Sequence, residues 1–454
     1  MTAARWGPRW ILAAVAIGLF CVQIDYFAVN LALPRMAADL DTTTTDLQWV
    51  ISVYMLTLGA FMVPAGRIGD IFGRRRALLG GIAVFGVASV CCALAPNAVV
   101  LIAARAAQGL GAALIFPVSV SVLTNAYSAE HSSRAIGLAY GIAGLGNAAG
   151  PVVGGILTDT LGWRAVFWLL VPFAVVSLIL GALAIPETFD DTVPRRLDVT
   201  GLALITAGVG LFTLTVDRAP SWGWVSTATV ATAVVSVAVL ATFVVAQRRT
   251  RWPLLDLSLF RNGRFVVLVA AGTVANVAYT ATVFLSTLNL QQVRGLSPLA
   301  AGLVFLGPSA GAALGGVISG RLATRYAPIA VMGVGCTTAA LALALLAVAG
   351  NPVVYLIALT ACGFTMGLVY AFTTVATQTV VAPQRAGEAA GVTLTFLVTI
   401  AGVGVAVAGT SLEVLQRNGF DSGDAISTIL AIIAAPLLVA GATVLLRSRQ
   451  DQPA

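Results

Sequence analysis

One carboxylate in the middle of an apolar run is the group in this chain best placed to do chemistry. Asp25 lies within a run that begins at Trp10. An ionisable side chain in hydrocarbon costs at least a few kcal/mol unless it is paired or wetted. At a helical rise of about 1.5 Å per residue, Asp25 falls about 13 Å below Pro34, the end of its run, and Arg105 falls about 10 Å below the matching end of another. Tyr54 comes out at similar depth. An acid, a base and a hydroxyl therefore stack at one level. At low dielectric the charge of such an acid responds to its partner and to the access of water, as a proton-coupling site requires. The alternative is a static ion pair retained for packing specificity.

A second cluster sits where an apolar run ends, in Gly66-Arg-Ile-Gly-Asp70-Ile-Phe-Gly73-Arg74-Arg75-Arg76. Asp70 is close to water there, so a gate suits it better than proton carriage. The acid would accept hydrogen bonds from an arginine or a neighbouring helix N-terminus while that side is closed. A plain topology anchor is the competing reading. A weaker echo, Gly316-Val-Ile-Ser-Gly-Arg321-Leu-Ala-Thr-Arg325, returns 250 positions later and points to two related halves rather than two independent basic loops. Gly146, Gly150 and Gly154 recur every four residues on one helix face, where small residues let helices approach closely, and Pro151 adds a kink.

Other chemistries lack their residues. The only histidine, His131, falls in a polar loop, which disfavours a histidine proton relay. The chain has no lysine and no Gly-rich phosphate loop, so nucleotide-driven pumping is excluded for it. No clustered nucleophile and base and no metal-ligand spacing occurs among the deep residues, so an intramembrane enzyme is disfavoured and no cofactor is expected. Cys21, Cys91, Cys92, Cys336 and Cys362 all lie in apolar runs and read as packing residues rather than a disulfide framework.

The elements that must position these groups follow from composition. The chain has 454 residues, 59% hydrophobic and 9% charged, with mean hydropathy +0.97. A soluble protein carries roughly 25% charged residues. The apolar runs are long enough to cross a hydrocarbon core, where bundled helices satisfy the backbone. The expected class is an all-α polytopic membrane protein with the lipid bilayer as its partner and no obligatory protein partner evident. The first run lacks a cleavage site and does not read as a signal peptide.

Fourteen spans are expected, at about 10–33, 47–69, 77–95, 98–124, 135–160, 164–185, 199–216, 224–246, 265–288, 298–319, 328–349, 352–378, 387–409 and 425–446. With both termini cytoplasmic, nineteen arginines fall in internal loops and five outside, which is the positive-inside bias. The net charge of +7 is thus a matter of topology, with no nucleic-acid platform. Spans seven and eight are set apart by the polar linkers Pro186–Asp198 and Gln247–Arg264. Removing them leaves six spans on each side, the layout of a two-lobed secondary transporter. The expected units are an N-terminal lobe (1–198), an inserted pair with its linker (199–264) and a C-terminal lobe (265–454).

Four stretches resemble the major facilitator superfamily, in particular its fourteen-helix drug:proton antiporter branch. Gly66–Arg76 resembles the family loop between spans two and three at Gly66, Asp70, Gly73, Arg74 and Arg75. It departs at Ile71, where the family has arginine, and in the second copy Arg321 holds that place. Asp25-Tyr-Phe-Ala-Val-Asn30-Leu-Ala-Leu-Pro34 resembles the span-one element, and Arg105-Ala-Ala-Gln108-Gly109 the span-four element. Gly146-Asn147-Ala-Ala-Gly150-Pro151-Val-Val-Gly154-Gly155 is similar to the antiporter motif of span five. The resemblance implies proton coupling through Asp25 and Arg105, a gating loop at Gly66–Arg76, and a span-five motif that seals the lobe interface against leak. It implies export of small amphipathic compounds or drugs in exchange for protons, across a bacterial plasma (inner) membrane. A dedicated exporter of one natural product or lipid, or a facilitator or importer, shares the fold. The polar residues open to a substrate cavity are Asn30, Tyr54, Gln108, Asn147, Asn276, Tyr279 and Tyr370, with helix-to-helix glue the alternative for each. A single deep acid points to neutral or singly cationic substrates.

Overall fold

The computed structural model describes residues 7–42, 44–189, 198–250, 253–296 and 298–450. Among them run fourteen long α-helices: α1 (Pro8–Asp39), α2 (Thr44–Phe72), α3 (Arg74–Ala93), α4 (Ala98–Ala126), α5 (Ala129–Thr160), α6 (Arg164–Ala184), α7 (Val199–Trp222), α8 (Thr227–Arg249), α9 (Gly263–Leu288), α10 (Pro298–Ala323), α11 (Pro328–Ala347), α12 (Pro352–Thr379), α13 (Ala386–Arg417) and α14 (Ser422–Gln450). Thirteen contain a described stretch long and apolar enough to cross a membrane. The remaining one, α5, contains five positions, 129, 130, 147, 148 and 151, whose side chains lie outside the described residues. The chain is an all-helical, multi-pass membrane protein.

Short polar side chains start several helices by taking up free amides of the first turn. Asn97 accepts from Val100 at the head of α4 (3.0 Å), Asp198 from Gly201 at α7 (2.8 Å), and Asn351 from Val353 at α12 (2.8 Å). Where the ends carry polar residues the helices outrun the apolar runs. α1, α5 and α13 each have 32 residues, about 48 Å. The helical pattern continues past the hydrocarbon because its end groups can bond to water, so the expected spans 10–33, 135–160 and 387–409 are shorter than the helices. Gly73, between α2 and α3, has φ +117°, a conformation that favours glycine, and makes the turn tight enough to bring the Arg74–Arg76 block against the end of α6.

The core forms in two large parts. One is centred on α1–α6, with Ala371, Val375, Ala390 and Leu394 of α12 and α13 packed into it. The other is built from α9–α14. The two helix groups meet along α2 with α13, α4 with α13, α5 with α10 and α5 with α12. α7 lies against both α2 and α13, and α8 against α7. The arginine-rich loops gather at one end of the molecule, called the basic end below.

Candidate functional site

Five helices of the first group converge on Asp25. Arg105 and Gln108 are three residues apart and share one face of α4. Arg105 Nη1 donates to Asp25 Oδ2 at 2.7 Å and to Gln108 Oε1 at 2.6 Å, and its Nε donates to the Val50 carbonyl of α2 at 2.9 Å. Gln108 Nε2 donates to Ser89 Oγ of α3 at 2.9 Å, with a longer bond to Asp25 Oδ1 at 3.4 Å. The guanidinium lies 4.1 Å above the Tyr54 ring and 5.9 Å from that of Phe167 in α6, a cation–π arrangement that favours Arg105 as a cation. Asp25 is 0% exposed and Arg105 1%. The Tyr54 hydroxyl is buried without a hydrogen-bond partner among the described residues.

This knot joins α1 to α4 by a charge-assisted bond in a dry site, where such bonds are strong. Adding a proton to Asp25 would cancel the attraction and leave Arg105 held by Gln108, Val50 and the two rings. The arrangement can therefore turn one proton into a change in how α1 is tied to its neighbours. Tyr54 and Gln108, read from sequence as cavity residues, both belong to this knot.

The second assembly lies at the basic end. Arg74 Nε donates to Asp70 Oδ1 at 2.8 Å, and Arg74 Nη2 to the Gln384 carbonyl, also at 2.8 Å. Asp70 Oδ2 accepts the Glu388 amide at 3.0 Å. Glu388 is the third residue of α13, so its amide has no intrahelical partner and points out of a helix N-terminus. Asp70 thus takes both an arginine and a foreign helix N-terminus, across the α2–α13 seam. Arg75 turns the other way, its amide donating to Glu187 Oε1 at 3.0 Å and its Nη2 to the Ala182 carbonyl at 2.7 Å. Both bonds stay within the first group.

Seam geometry explains several glycines. A methyl on Gly66 would overlap the Gly387 carbonyl of α13, and one on Gly391 would sit 2.8 Å from the Met62 carbonyl. On the α5–α10 side Gly137 and Gly141 press on Gly316, Val317 and Gly320. Gly320 stands where Asp70 stands in the first copy and meets the Ser133 carbonyl, so this seam has no charged clasp among the described residues. Arg321 is exposed at the end of α10 and forms no ion pair among the described residues.

Two of the span-five glycines, Gly146 and Gly154, pack away from the seam between the helix groups. A methyl on Gly146 would meet the Phe20 carbonyl at 2.8 Å, and one on Gly154 the Ala28 carbonyl at 2.6 Å, so both pack on α1 inside the first group. Gly150 is buried and Gly155 half-buried. The seam is made instead by Gly137, Gly141 and Gly144. Gly137 and Gly146 are nine residues apart, half a turn out of phase at 3.6 residues per turn.

Asn276 Nδ2 donates to the Leu397 carbonyl at 2.7 Å and pins α9 to α13. Tyr279 and Tyr370 are half-buried, and the Tyr370 ring lies 6.1 Å from that of Tyr140 across the α5–α12 contact. The side chains of Asn30, Asn147 and Pro151 lie outside the described residues. Sequence reading missed Glu187, Arg385, Gly387 and Glu388. The only signal for the last was an acid three residues after Arg385 at the start of an apolar run.

Comparison with known proteins gives the family. Residues 15–406 match the family model described as Major Facilitator Superfamily. The chain is 33% identical over 404 residues to the multidrug resistance protein Stp of Mycobacterium tuberculosis, covering 88% of this chain and 75% of that one. It is 33% identical over 456 residues to the multidrug efflux pump LfrA of Mycolicibacterium smegmatis, covering 97% and 90%. In fold it matches the crystal structure of the human organic anion transporter MFSD10 with TM-score 0.65 at 15% identity, over 96% of this chain and 100% of that one. A multi-pass helical chain with this match along most of its length belongs to the Major Facilitator Superfamily.

Proposed function

We propose that the chain exports small amphipathic organic compounds in exchange for protons, by alternating access between two lobes. The lobes are residues 1–198 and 265–454, with the inserted pair and its linker (199–264) at their junction. The basic end faces the cytoplasm of a bacterial inner membrane, following the positive-inside bias. Membership of a transporter family and the efflux roles printed in the names of Stp and LfrA support export rather than enzymatic work.

The observation that carries the reading is the fully buried Asp25–Arg105 pair. Asp70–Arg74 is as buried, but like the other ion pairs between helices among the described residues it lies at helix ends, whereas Asp25–Arg105 lies within the span. This one sits deep enough for its charge state to depend on which side of the protein is open. With both seams closed at the basic end, the described conformation is the one in which a proton would arrive from the opposite side. Protonation of Asp25 loosens α1 from α4, and return of the carboxylate to Arg105 resets the knot. Asp25 is engaged by Arg105, so it leaves no free negative charge for a substrate. The aromatic pair Tyr140–Tyr370 offers an uncharged surface instead, which suits neutral or singly cationic compounds.

The test is proton flux out of acid-loaded inverted vesicles on addition of candidate compounds. Asp25→Asn is expected to abolish proton-dependent efflux at unchanged membrane level. Full activity in that variant would remove the mechanism.

A further inference from the structure

The segment between α8 and α9 is bonded to both sides of the gate. Arg67 Nη2 of α2 donates to the Pro253 carbonyl at 3.4 Å. On the other side, Glu388 Oε1 of α13 accepts the Asp256 amide at 2.5 Å, and Arg385 holds the second oxygen of Glu388 at 3.0 Å and the Asp256 carboxylate at 3.4 Å. Asn262 Nδ2 donates to the Val380 carbonyl after α12 at 2.8 Å. The segment is also tied to the inserted pair, since Gln247 of α8 accepts the Leu255 amide at 3.0 Å and donates to Asp198, the cap of α7, at 2.7 Å.

Apolar packing follows the same path. Leu254, Leu255 and Leu259 are buried in a cluster with Val63 of α2, Val209 of α7 and Val392 of α13. Opening the basic end must separate α2 from α13 and so divide this cluster. Glu388 is the link: its backbone amide carries the gate bond to Asp70, while its side chain carries the bond to the segment. A bond that fixes the Glu388 side chain also fixes the first turn of α13, and with it the donor that Asp70 needs. The α5–α10 seam has no such segment among the described residues.

We propose that Pro253–Asn262 is a clasp on the cytoplasmic gate, held by Glu388 and Arg385, through which the inserted pair sets how readily that end opens. The role rests on the alternating-access reading above and adds to it a job for the extra helices.

Pulsed electron-spin distances report the gate directly. Spin labels at His131→Cys on α5 and Arg325→Cys after α10, both exposed positions, are introduced with the exposed Cys91 replaced by serine. The full chain is held in lipid with no substrate and no proton gradient. Asp256→Pro removes the donated amide at a position whose φ of −76° already suits proline. It is expected to raise the population of the wide, inward-open distance about tenfold, the scale of one lost hydrogen bond to a charged acceptor. Asp256→Ala keeps the amide and is expected to shift it less. Glu388→Ala removes the acceptor but leaves its own amide for Asp70, and is expected to widen the gate as Asp256→Pro does. It also serves should the proline variant fail to insert. A distance distribution unchanged from the parent in either variant overturns the clasp. Because no transport is read, failure of the parent to export drugs would sink the export reading and leave this result standing.

Discussion

Gly66 of α2 and Gly387 of α13 meet backbone to backbone. A methyl on Gly66 would overlap the Gly387 carbonyl, and one on Gly387 would lie 2.5 Å from Oδ2 of Asp70. Neither glycine has positive φ, so the requirement is space rather than torsion. The closeness of these two residues lets a short aspartate reach across to the first turn of the opposite helix. Closure at the basic end therefore depends on two missing side chains as much as on any charge.

Gly66→Ala puts a methyl group against backbone that cannot rotate away. Overpacking of this kind costs about 1–3 kcal/mol, and here it falls only on the closed conformation. Export should drop about tenfold or more by the same scale at matched membrane level. Gly80→Ala, on an exposed face with nothing near its Cβ position, is the control and should export normally. Equal rates for the two variants would mean that the seam does not close this tightly.

Asp70 and Arg74 are 1% and 2% exposed at their side chains, so removing one strands the other. Leaving a buried charge without its partner costs about 3–5 kcal/mol. Asp70→Ala should therefore lower thermal stability as well as export. Asp70→Asn keeps an oxygen for the Glu388 amide and should lower export more than stability. Melting curves in detergent beside efflux rates separate the two. If both variants melt alike, Arg74 is satisfied elsewhere.

How much of this could be read from the chain depends on the range of each interaction. Helices and their count follow from local hydropathy, and the depth match of Asp25, Arg105 and Tyr54 follows from helical rise alone. Partnership across the molecule does not. Asp70 reads as a residue seeking a helix N-terminus, but nothing local says that the helix begins 316 positions later at Ala386. Periodicity groups Gly146 with Gly154 without revealing which neighbour they face, so a seam role looks natural until α1 is seen to occupy that side. Glu388 is invisible for a similar reason: its two functions, backbone and side chain, point to segments remote in sequence.

At the end of α1 opposite the basic end, Asp39 accepts from the Trp163 indole at 2.9 Å and pairs with Arg164. These bonds, the indole first, hold its carboxyl below the ordinary value of 3.8. A depressed folded-state value stabilises the fold above the unfolded value and is lost as pH falls through the folded one. Asp39→Asn should thus lower the melting temperature equally at pH 7 and pH 5. The difference should shrink only once the pH drops below 3.8. The contribution is small because both side chains are close to half exposed. A difference already gone at pH 5 would show that the tie does not hold in solution.

The Asp25–Arg105 pair makes a sharper demand, because fold and transport pull apart there. Arg105→Ala leaves Asp25 with only the long bond from Gln108. In a fully dry site the carboxyl must then take up a proton or destabilise the bundle, at a cost of about 3–5 kcal/mol. The double variant Asp25→Asn with Arg105→Gln removes both charges, keeps amides that can bond to Gln108, and should melt well above the Arg105→Ala single variant. It should nevertheless carry no proton-driven export, because no group at that depth remains to change charge. A double variant that melts near the parent and still exports against a gradient would place coupling outside this knot. One that melts no better than Arg105→Ala would show that the two charges do not face only each other.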